Sequence, residues 1–503
     1  MAEHFFTALA NAFNPLSFLL MTLGVAGGII VGALPGLTAT MALALLVPFT
    51  FAMDANTSLM VLGGVYVGSM YGGCIAAILV NTPGTPASIA TTFDGYPLTK
   101  KGKAEHALVT AAFSSGVGGV IGALILLFLS PPLAAAALKF GPPEYFWLAV
   151  FGLTIIATLS TGSMLKGLIG GAFGLLLSTV GISPIGGDMR FTFGFHQLQA
   201  GLDLIVVLIG FFCIPEVLVM IEKKMGSSSI TSYKPQKGVA KGVILELIKK
   251  PVLLIRSAII GTFVGIVPGA GGNIASLMAY NEAVRFSKEK EKFGTGIIDG
   301  VAASESSNNA EVGGSLVPLL TLGIPGAAPA AIMLGALMIH GMRPGPELYT
   351  VYGDITYTFL FSFILANIVM FVLGFYGSRH VARLINLPIS MLAPLVVFLT
   401  VIGSYALRNN MLDVGVMVFF GLIGYITKKV GFTPGPIVLG LILGPIAENG
   451  LVQTMFMGQA SGSMIQVFFT RPISIVLILL CVISIALPVI SSIRSRKGGT
   501  QCA

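Results

Sequence analysis

The sequence predicts an all-α polytopic membrane protein with two inverted-topology repeats, re-entrant hairpins and broken helices. Three observations predict it: low charge, recurring apolar segments of membrane-spanning length, and Pro-Gly motifs that occur twice in the same order. Of 503 residues, 55% are hydrophobic and 10% are charged, and the mean hydropathy is +0.93. Because a soluble domain carries roughly 25% charged residues, most of the outer surface is expected to face hydrocarbon.

Apolar stretches of about 20 residues, the length that one helix needs to cross a bilayer, recur along the chain. The predicted ordinary crossings lie near residues 107–130, 146–160, 167–182, 201–221, 355–376, 389–405, 412–427, 433–447 and 472–491. Residues 1–14 lack a basic segment, so no cleavable signal peptide is expected. The four cysteines, Cys74, Cys213, Cys481 and Cys502, lack metal-ligand spacing and are interpreted as small core residues.

The net charge of +8 is distributed in a pattern typical of membrane proteins. Most Lys and Arg residues fall in short clusters between apolar segments, namely 100–103, Lys166, 223–250, 285–292, 379–383, 428–429 and 494–497. Cytoplasmic loops carry such an excess of positive charge. The clusters are therefore expected in the cytoplasm, and a nucleic-acid partner is not expected.

Two copies of a motif series indicate an internal repeat. Val31-Gly-Ala-Leu-Pro-Gly36 matches Val264-Gly-Ile-Val-Pro-Gly269 in its Val, Gly, Pro and Gly. Further on, Gly72-Gly73 precedes Pro83-Gly84, and Gly313-Gly314 precedes Pro325-Gly326 with a spacing that differs by one residue. A third match pairs Asp94-Gly-Tyr-Pro97 with His340-Gly-Met-Arg-Pro344.

The charges of equivalent loops indicate that the repeats are inverted. Residues 49–58 contain Asp54 and no Lys or Arg, whereas the corresponding 285–292 loop is basic. After the second Pro-Gly motif the order reverses, because 100–103 is basic and 341–354 is not. Equivalent loops are thus predicted on opposite sides of the membrane, which is typical of secondary transporters.

The predicted organisation is a first membrane repeat over residues 1–222, a basic cytoplasmic linker over 223–250, and a second, inverted repeat over 251–503 with an extra C-terminal helix. Segments 16–50 and 252–284 begin and end on one side and are too short for two crossings. They are interpreted as re-entrant hairpins that turn at Pro35-Gly36 and Pro268-Gly269. Segments 59–96 and 299–340 change sides and are predicted to be crossings broken at Pro83-Gly84 and Pro325-Gly326.

The four breaks are candidate binding sites for an anion. Backbone groups cannot stay unpaired in hydrocarbon, and the free N–H groups at a helix start attract negative charge. Hydroxyl and amide side chains accompany the breaks: Thr38, Thr40, Asn81, Thr82, Thr85, Ser88, Asn273, Ser276 and Thr321. The structural alternative for each Ser and Thr is a bond to its own helix. Carbonyls and hydroxyls also suit a sodium ion, with Thr38, Asn81, Asn273 and Thr321 as candidate ligands.

The most polar stretch in an apolar context is Ala303-Ser-Glu-Ser-Ser-Asn-Asn-Ala-Glu-Val312. Its carboxylates, Glu305 and Glu311, cost several kcal/mol if buried without a partner or water. Three interpretations remain open: the stretch binds a cation, carries protons, or lies in a solvated cytoplasmic vestibule near Lys292.

Sequence motifs of enzymes are missing. Gly269-Ala-Gly-Gly272 lacks the Lys-Ser/Thr of a phosphate-binding loop, and neither H-E-x-x-H nor G-x-S-x-G occurs. The protein is therefore not expected to be an enzyme.

Four stretches resemble the large membrane subunit of the tripartite tricarboxylate transporters. They are Val31-Gly-Ala-Leu-Pro-Gly-Leu-Thr38, Asn81-Thr-Pro-Gly-Thr-Pro-Ala-Ser-Ile-Ala90 with Asp94-Gly-Tyr-Pro97, Ser304-Glu-Ser-Ser-Asn-Asn-Ala310, and Gly323-Ile-Pro-Gly326. The resemblance extends from about residue 15 to about residue 490. The second and third stretches are long and unusual, so they are specific.

The resemblance implies a multi-pass secondary transporter of the bacterial inner membrane. It implies two protein partners, a small membrane subunit and a periplasmic solute-binding protein that delivers a small carboxylate such as citrate. It implies no cofactor other than a coupling ion, Na+ or H+. The residues in motifs expected to line the substrate and ion sites are Thr38, Thr40, Asn81, Thr82, Gly84, Thr85, Asn273, Ser304, Ser306, Asn308, Asn309 and Gly326. The alternatives are a stand-alone permease or a passive anion channel, and, third, a membrane scaffold.

Overall fold

The structure, a computed structural model, describes residues 2–159, 164–183, 186–222, 238–384 and 389–498. These residues are helical except for loops and one pair of two-residue strands. Eight of the described helices are long and apolar enough to cross a membrane: 15–33, 55–80, 104–137, 204–222, 353–383, 390–408, 411–429 and 434–461. The predicted all-α polytopic fold is confirmed.

The first half contains nine α-helices, two 3-10 helices and a short strand pair within its described residues. They are α1 (Ala2–Ala12), α2 (Pro15–Ala33), α3 (Ala39–Thr50), α4 (Ala55–Val80), a 3-10 helix (Pro86–Ser88), α5 (Ile89–Lys100), α6 (Ala104–Ala137), α7 (Pro142–Leu159), α8 (Met164–Ser178), β1 (Gly181–Ile182), β2 (Met189–Arg190), a 3-10 helix (His196–Ala200) and α9 (Leu204–Glu222). With 15 residues, α8 is short for the crossing predicted at 167–182, because the chain leaves the helix to form the antiparallel β1–β2 pair.

The second half repeats part of this order. Its elements are α10 (Val239–Ile248), α11 (Pro251–Ile266), α12 (Gly271–Phe286), a 3-10 helix (Lys290–Lys292), α13 (Ile298–Leu322), α14 (Ala328–Ile339), α15 (Glu347–Thr350), α16 (Gly353–Leu384), α17 (Ile389–Arg408), α18 (Met411–Lys429), α19 (Pro434–Ser461), α20 (Met464–Phe469) and α21 (Pro472–Gly498). Helix α10, with Val243 and Leu247 buried, occupies part of the predicted linker, whose residues 223–237 lie outside the described ranges.

Helices α2 and α4 run parallel and in close contact. Ser17 and Thr57, near their starts, share a hydrogen bond of 2.7 Å between hydroxyl oxygens. Further along, Gly28 packs on the Val65 carbonyl and Gly32 on the Ser69 carbonyl. Since both helices start at the same end of the pair, α3 must return the chain between them. The predicted hairpin at Pro35-Gly36 is confirmed, and Gly36 has the positive φ (91°) that the turn uses.

Helices α11 and α13 form the matching parallel pair. Gly261 packs on the Ser307 carbonyl and Gly265 on the Glu311 carbonyl. At the starts of the two helices, Lys250 Nζ lies 2.6 Å from Asp299 Oδ1. Burial opposes the charge on Lys250, but its hydrogen bonds to Asp299 and Glu246 outweigh burial and raise the pKa of the ammonium group. Here α12 returns the chain, which confirms the hairpin predicted at Pro268-Gly269.

Both broken helices are tied back to the preceding long helix in the same way. The N–H of Gly84 donates to the Gly73 carbonyl at 3.1 Å, and the N–H of Gly326 donates to the Ser315 carbonyl at 3.1 Å. The breaks predicted at Pro83-Gly84 and Pro325-Gly326 are confirmed. Because the two bonds span equal numbers of residues, Gly73 corresponds to Ser315. The pairing of Gly72-Gly73 with Gly313-Gly314 was therefore shifted by one residue, which accounts for the one-residue difference in spacing.

The long helices α4 and α13 cross in opposite directions. The hydroxyl groups of Tyr66 and Ser315 lie 3.0 Å apart, and Asn308 Nδ2 donates to the Met70 carbonyl at 3.3 Å. Later positions of α4 thus meet earlier positions of α13. The predicted inversion of the two repeats is confirmed, and the membrane side of each loop stays a prediction.

The chain divides into two compact units that combine segments from both halves. One contains residues 1–134 and 208–425, and the other contains 135–207 and 426–503. In the second unit α8 and α19 pack through glycines, and Arg190 forms an ion pair of 2.8 Å with Glu448. The repeat boundaries 1–222 and 251–503 stay a prediction. Cys74, Cys213 and Cys481 are buried as predicted, and Cys502 lies outside the described residues.

We predict that Gly32→Ala destabilises the protein by about 1–3 kcal/mol, because its new methyl group would overlap the Ser69 carbonyl at the α2–α4 contact. Gly27→Ala, in the same helix, is the matched control, since no other group lies within 4 Å of a methyl group there. Thermal unfolding of the detergent-solubilised protein measures both. Equal melting temperatures for the two variants would contradict the proposed close packing.

Candidate functional site

The polar stretch 303–312 forms the middle of α13. Every side chain from Val301 to Thr321 is buried, and Glu305 and Glu311 have no exposed surface. The interpretation as a solvated vestibule is therefore wrong in this conformation. The stretch lies in the first compact unit, between α4, α5, α6, α11 and α12.

Glu305 is held by hydroxyl groups from two other helices. It accepts hydrogen bonds from Thr91 of α5 and, at 3.1 Å, from Ser115 of α6. A buried carboxylate needs such donors. Sequence reasoning missed Thr91 and Ser115 because each is one of several hydroxyl residues on its helix and lies far from Glu305 along the chain.

Asn308 lies where the two repeats meet. Its Nδ2 donates to the Met70 carbonyl of α4, while its Oδ1 is buried without a donor among the described residues. A methyl group placed on Gly272, in the first turn of α12, would lie 3.0 Å from this Oδ1 and 2.9 Å from Ala87. The start of α12, the 3-10 helix at 86–88 and α13 therefore converge on Asn308.

The starts of α12 and α14 have no side-chain cap among the described residues. Neither N-cap residue, Ala270 or Ala327, supplies a side-chain hydrogen bond. The first N–H groups of a helix have no partner within that helix, and they carry positive partial charge. Asn273 lies in the first turn of α12 and is half-buried. These two helix starts are thus suited to a carboxylate.

Several predicted site residues instead bond within their own segment. Thr38 caps α3 by accepting from the Met41 N–H at 3.2 Å. Ser304 and Thr321 donate to the carbonyls of Gly300 and Val317 in their own helix. The structural alternative thus applies to all three hydroxyl groups.

The remaining predicted residues lie around the breaks or, for Ser306 and Asn309, in the middle of α13. Ser306 donates to the Leu254 carbonyl, and Thr82 donates to the Val80 carbonyl at 3.4 Å. Thr85 and Ser88 have hydroxyl oxygens 3.3 Å apart, and Thr40 is buried at the start of α3. Asn309 is buried with neither amide atom hydrogen-bonded in the described region.

Gly84 and Gly326 act as packing residues. Gly84 lies against the Gly32 carbonyl and Gly326 against the Gly265 carbonyl, without room for a side chain. The Gly326 carbonyl also accepts from the Gly269 N–H at 2.8 Å, which joins the two breaks of the second repeat. Their role in substrate binding stays a prediction.

The four predicted sodium ligands belong to four different helix ends. Thr38 precedes α3, Asn81 ends α4 in the left-handed conformation (φ 57°), Asn273 opens α12 and Thr321 lies in the last turn of α13. Asn81 is exposed. Within the described ranges, no hydrogen bond joins any two of the four, and no cluster of three His, Cys, Asp or Glu residues could hold a metal ion. A shared sodium site stays a prediction.

Asp94 positions the start of α13. This fully buried residue of α5 accepts from the N–H groups of Gly296 at 2.7 Å and Ile297 at 3.0 Å, and from the Tyr280 hydroxyl of α12 at 2.9 Å. The sequence marked Asp94 only as part of a repeated motif. The structure shows that it joins α5 to both α12 and α13.

The chain matches the tripartite tricarboxylate transporter TctA family over residues 18–439. It is 35% identical over 492 residues to an uncharacterized 52.8 kDa protein in the TAR-I ttuC' 3' region of Agrobacterium vitis, which covers 97% of this chain and 96% of that protein. It is 34% identical over 237 residues to an uncharacterized protein in the TAR-II ttuC' 3' region of the same organism, covering 47% of this chain and 97% of that protein. No solved structure matches the chain.

We predict that Asp94→Ala lowers the free energy of unfolding by about 2–3 kcal/mol, because two N–H groups and the Tyr280 hydroxyl lose their acceptor. Asp188→Ala, which removes an exposed carboxylate, is the control and should change the free energy of unfolding by less than about 0.5 kcal/mol. Thermal unfolding measures both variants. A wild-type melting temperature for Asp94→Ala would contradict the role assigned to this carboxylate.

Proposed function

The chain belongs to the tripartite tricarboxylate transporter TctA family, and from that premise we propose that it moves a small carboxylate into the cell under an ion gradient. Family membership makes it a multi-pass membrane subunit of a tripartite transporter, and not an enzyme. The proposal adds the substrate class, a tricarboxylate such as citrate or a related organic anion, and uptake coupled to Na+ or H+. It also adds the bacterial inner membrane as the location.

The convergence of helix breaks at Asn308 carries this proposal. The start of α12 from one repeat and the 3-10 helix at 86–88 from the other meet beside a buried amide. A helix start directs N–H groups and positive partial charge toward a ligand. Half-helices from inverted repeats form the binding sites of many secondary transporters. A carboxylate is the substrate class that this arrangement suits.

Close packing at the same point favours a carrier over a passive channel. Gly272 has no room for a methyl group between Ala87, Met70 and Asn308. A passive channel requires a continuous polar path through the membrane. Here, a carboxylate reaches Asn308 only when the start of α12 moves away from the 86–88 segment. Alternating access through two inverted repeats supplies such a movement.

The partners proposed for this subunit follow from the tripartite family. They are a small membrane subunit and a periplasmic solute-binding protein that delivers the carboxylate and selects it. The lipid bilayer covers the apolar outer surface. The main alternative is a stand-alone permease, which would transport without the binding protein.

The test is uptake of radiolabelled citrate into proteoliposomes that contain this chain and the small membrane subunit. We expect accumulation only when the binding protein is present outside and an inward Na+ or H+ gradient is imposed. Accumulation without the binding protein would support the stand-alone permease. Equilibration without accumulation under either gradient would support a passive channel and contradict the proposal.

We predict that Asn308→Ala reduces uptake at least about tenfold, which corresponds to a loss of about 1.4 kcal/mol at the site. The variant removes both the contact with the Met70 carbonyl and the amide beside the start of α12. Ser362→Ala is the matched control, because this buried serine lies outside the predicted site and its hydroxyl donates to the Phe359 carbonyl within its own helix, α16. Uptake that falls equally in both variants, or in neither, would contradict the assignment of Asn308 to the site.

A further inference from the structure

Glu311 lies in the middle of α13 and has no hydrogen-bond partner among the described residues. Its side chain has no exposed surface, and neither carboxylate oxygen accepts a hydrogen bond within the described region. Glu305, on the same helix, is equally buried but accepts hydrogen bonds from two hydroxyl groups. These two fully buried carboxylates of α13 therefore occupy different chemical environments.

A buried carboxylate without donors is unstable as an anion. Removing the charge from water costs several kcal/mol even after the protein relaxes. Binding one proton to a carboxylate oxygen removes that charge. Within a membrane protein, an isolated buried acid is thus a candidate proton carrier.

Among the described residues, the charged and titratable groups of α4, α11, α12 and α13 offer Glu311 no positive partner. From α4, Tyr66 faces the carboxylate, and its hydroxyl bonds to Ser315. The cation of α11, Arg256, lies more than two helical turns before Gly265, the residue that packs on the Glu311 backbone. The titratable residues of α12 lie in its second half, namely Tyr280, Glu282 and Arg285. On α13 itself the acids are Asp299, paired with Lys250, and Glu305.

The first repeat shows that the fold does not require a carboxylate at this place. Gly32 packs on the Ser69 carbonyl in the same way that Gly265 packs on the Glu311 carbonyl. Ser69 therefore occupies the equivalent position of α4, and its hydroxyl donates to the Tyr66 carbonyl of its own helix. Because a serine satisfies the packing, the acid in the second repeat requires another explanation.

The position of Glu311 links it to the proposed substrate site. It follows Asn308 by three residues, so the two side chains share one side of α13. The start of α12 packs against Asn308. Movement of α12 away from Asn308 would therefore also open a route for water toward Glu311.

We propose that Glu311 binds the coupling proton of this transporter, an inference that rests on the proposed function. The carboxylate takes up a proton from water when the site is open on the outer side and releases it on the inner side. A sodium ion would need several further oxygen ligands, and the Tyr66 and Ser315 hydroxyls are bonded to each other.

The test compares wild type, Glu311→Gln and Glu291→Gln in the reconstituted three-protein system with radiolabelled citrate. Glutamine resembles the protonated acid, so we expect Glu311→Gln to exchange internal for external citrate but to lose accumulation under a pH gradient by about tenfold or more. Glu291 is exposed on the 3-10 helix at 290–292, and its variant should behave as wild type. An infrared difference spectrum should show a protonated carboxylic acid in wild type that is missing from Glu311→Gln.

Accumulation of citrate by Glu311→Gln to the wild-type level under a pH gradient would overturn the inference. Accumulation by wild type under a sodium gradient alone would also overturn it, while leaving the proposed function intact. Failure of wild type to accumulate citrate under any gradient would instead contradict the proposed function. If Glu311→Gln loses exchange as well, the infrared spectrum decides, because an unchanged carboxylic-acid band in that variant would overturn the inference.

Discussion

The strongest constraint on this structure is that backbone N–H and C=O groups need hydrogen-bond partners inside hydrocarbon. A helix may be interrupted within a membrane only where its freed N–H and C=O groups find other partners. Both broken helices solve this in the same way, since Gly84 and Gly326 each donate to the long helix that precedes the break. This single bond holds the chain at each break. The position of each break relative to the long helix is therefore fixed by backbone contact.

Glycine packing fixes where these breaks meet. Glycines let α2 approach α4, and α11 approach α13. At these glycines, the backbone of one helix lies against backbone carbonyls of the other. Small residues give this kind of contact in membranes, where no hydrophobic driving force joins helices. Two rigid pairs result, α2 with α4 and α11 with α13. Helices α4 and α13, one from each pair, cross each other in opposite directions. The polar side chains at that crossing are consequently placed by backbone contacts.

The sequence predicted more of the fold than of the candidate site. Hydropathy, the spacing of Pro-Gly motifs and the charges of equivalent loops sufficed for the helices, the hairpins and the inverted repeats, because each is a local property repeated along the chain. The partners of Glu305 could not be found, since Thr91 and Ser115 are distant in sequence and unremarkable alone. The acceptor for Asn308 is the Met70 backbone, which no side-chain pattern reveals. For Thr38, Ser304 and Thr321, the sequence could not distinguish a ligand from a hydroxyl that bonds locally.

The two repeats are alike in backbone and different in chemistry. Gly73 and Ser315 are equivalent, and Tyr66 and Asn308 each lie two helical turns before them. By the same register, Ser69 corresponds to Glu311. A symmetric backbone permits two related conformations, one open to each side of the membrane. A carrier also needs groups that bind its substrate and its coupling ion, and a single site requires these groups only once. Asn308 and Glu311 of α13 fit that requirement, because the first repeat presents an aromatic ring, Tyr66, and a serine, Ser69, at the corresponding positions.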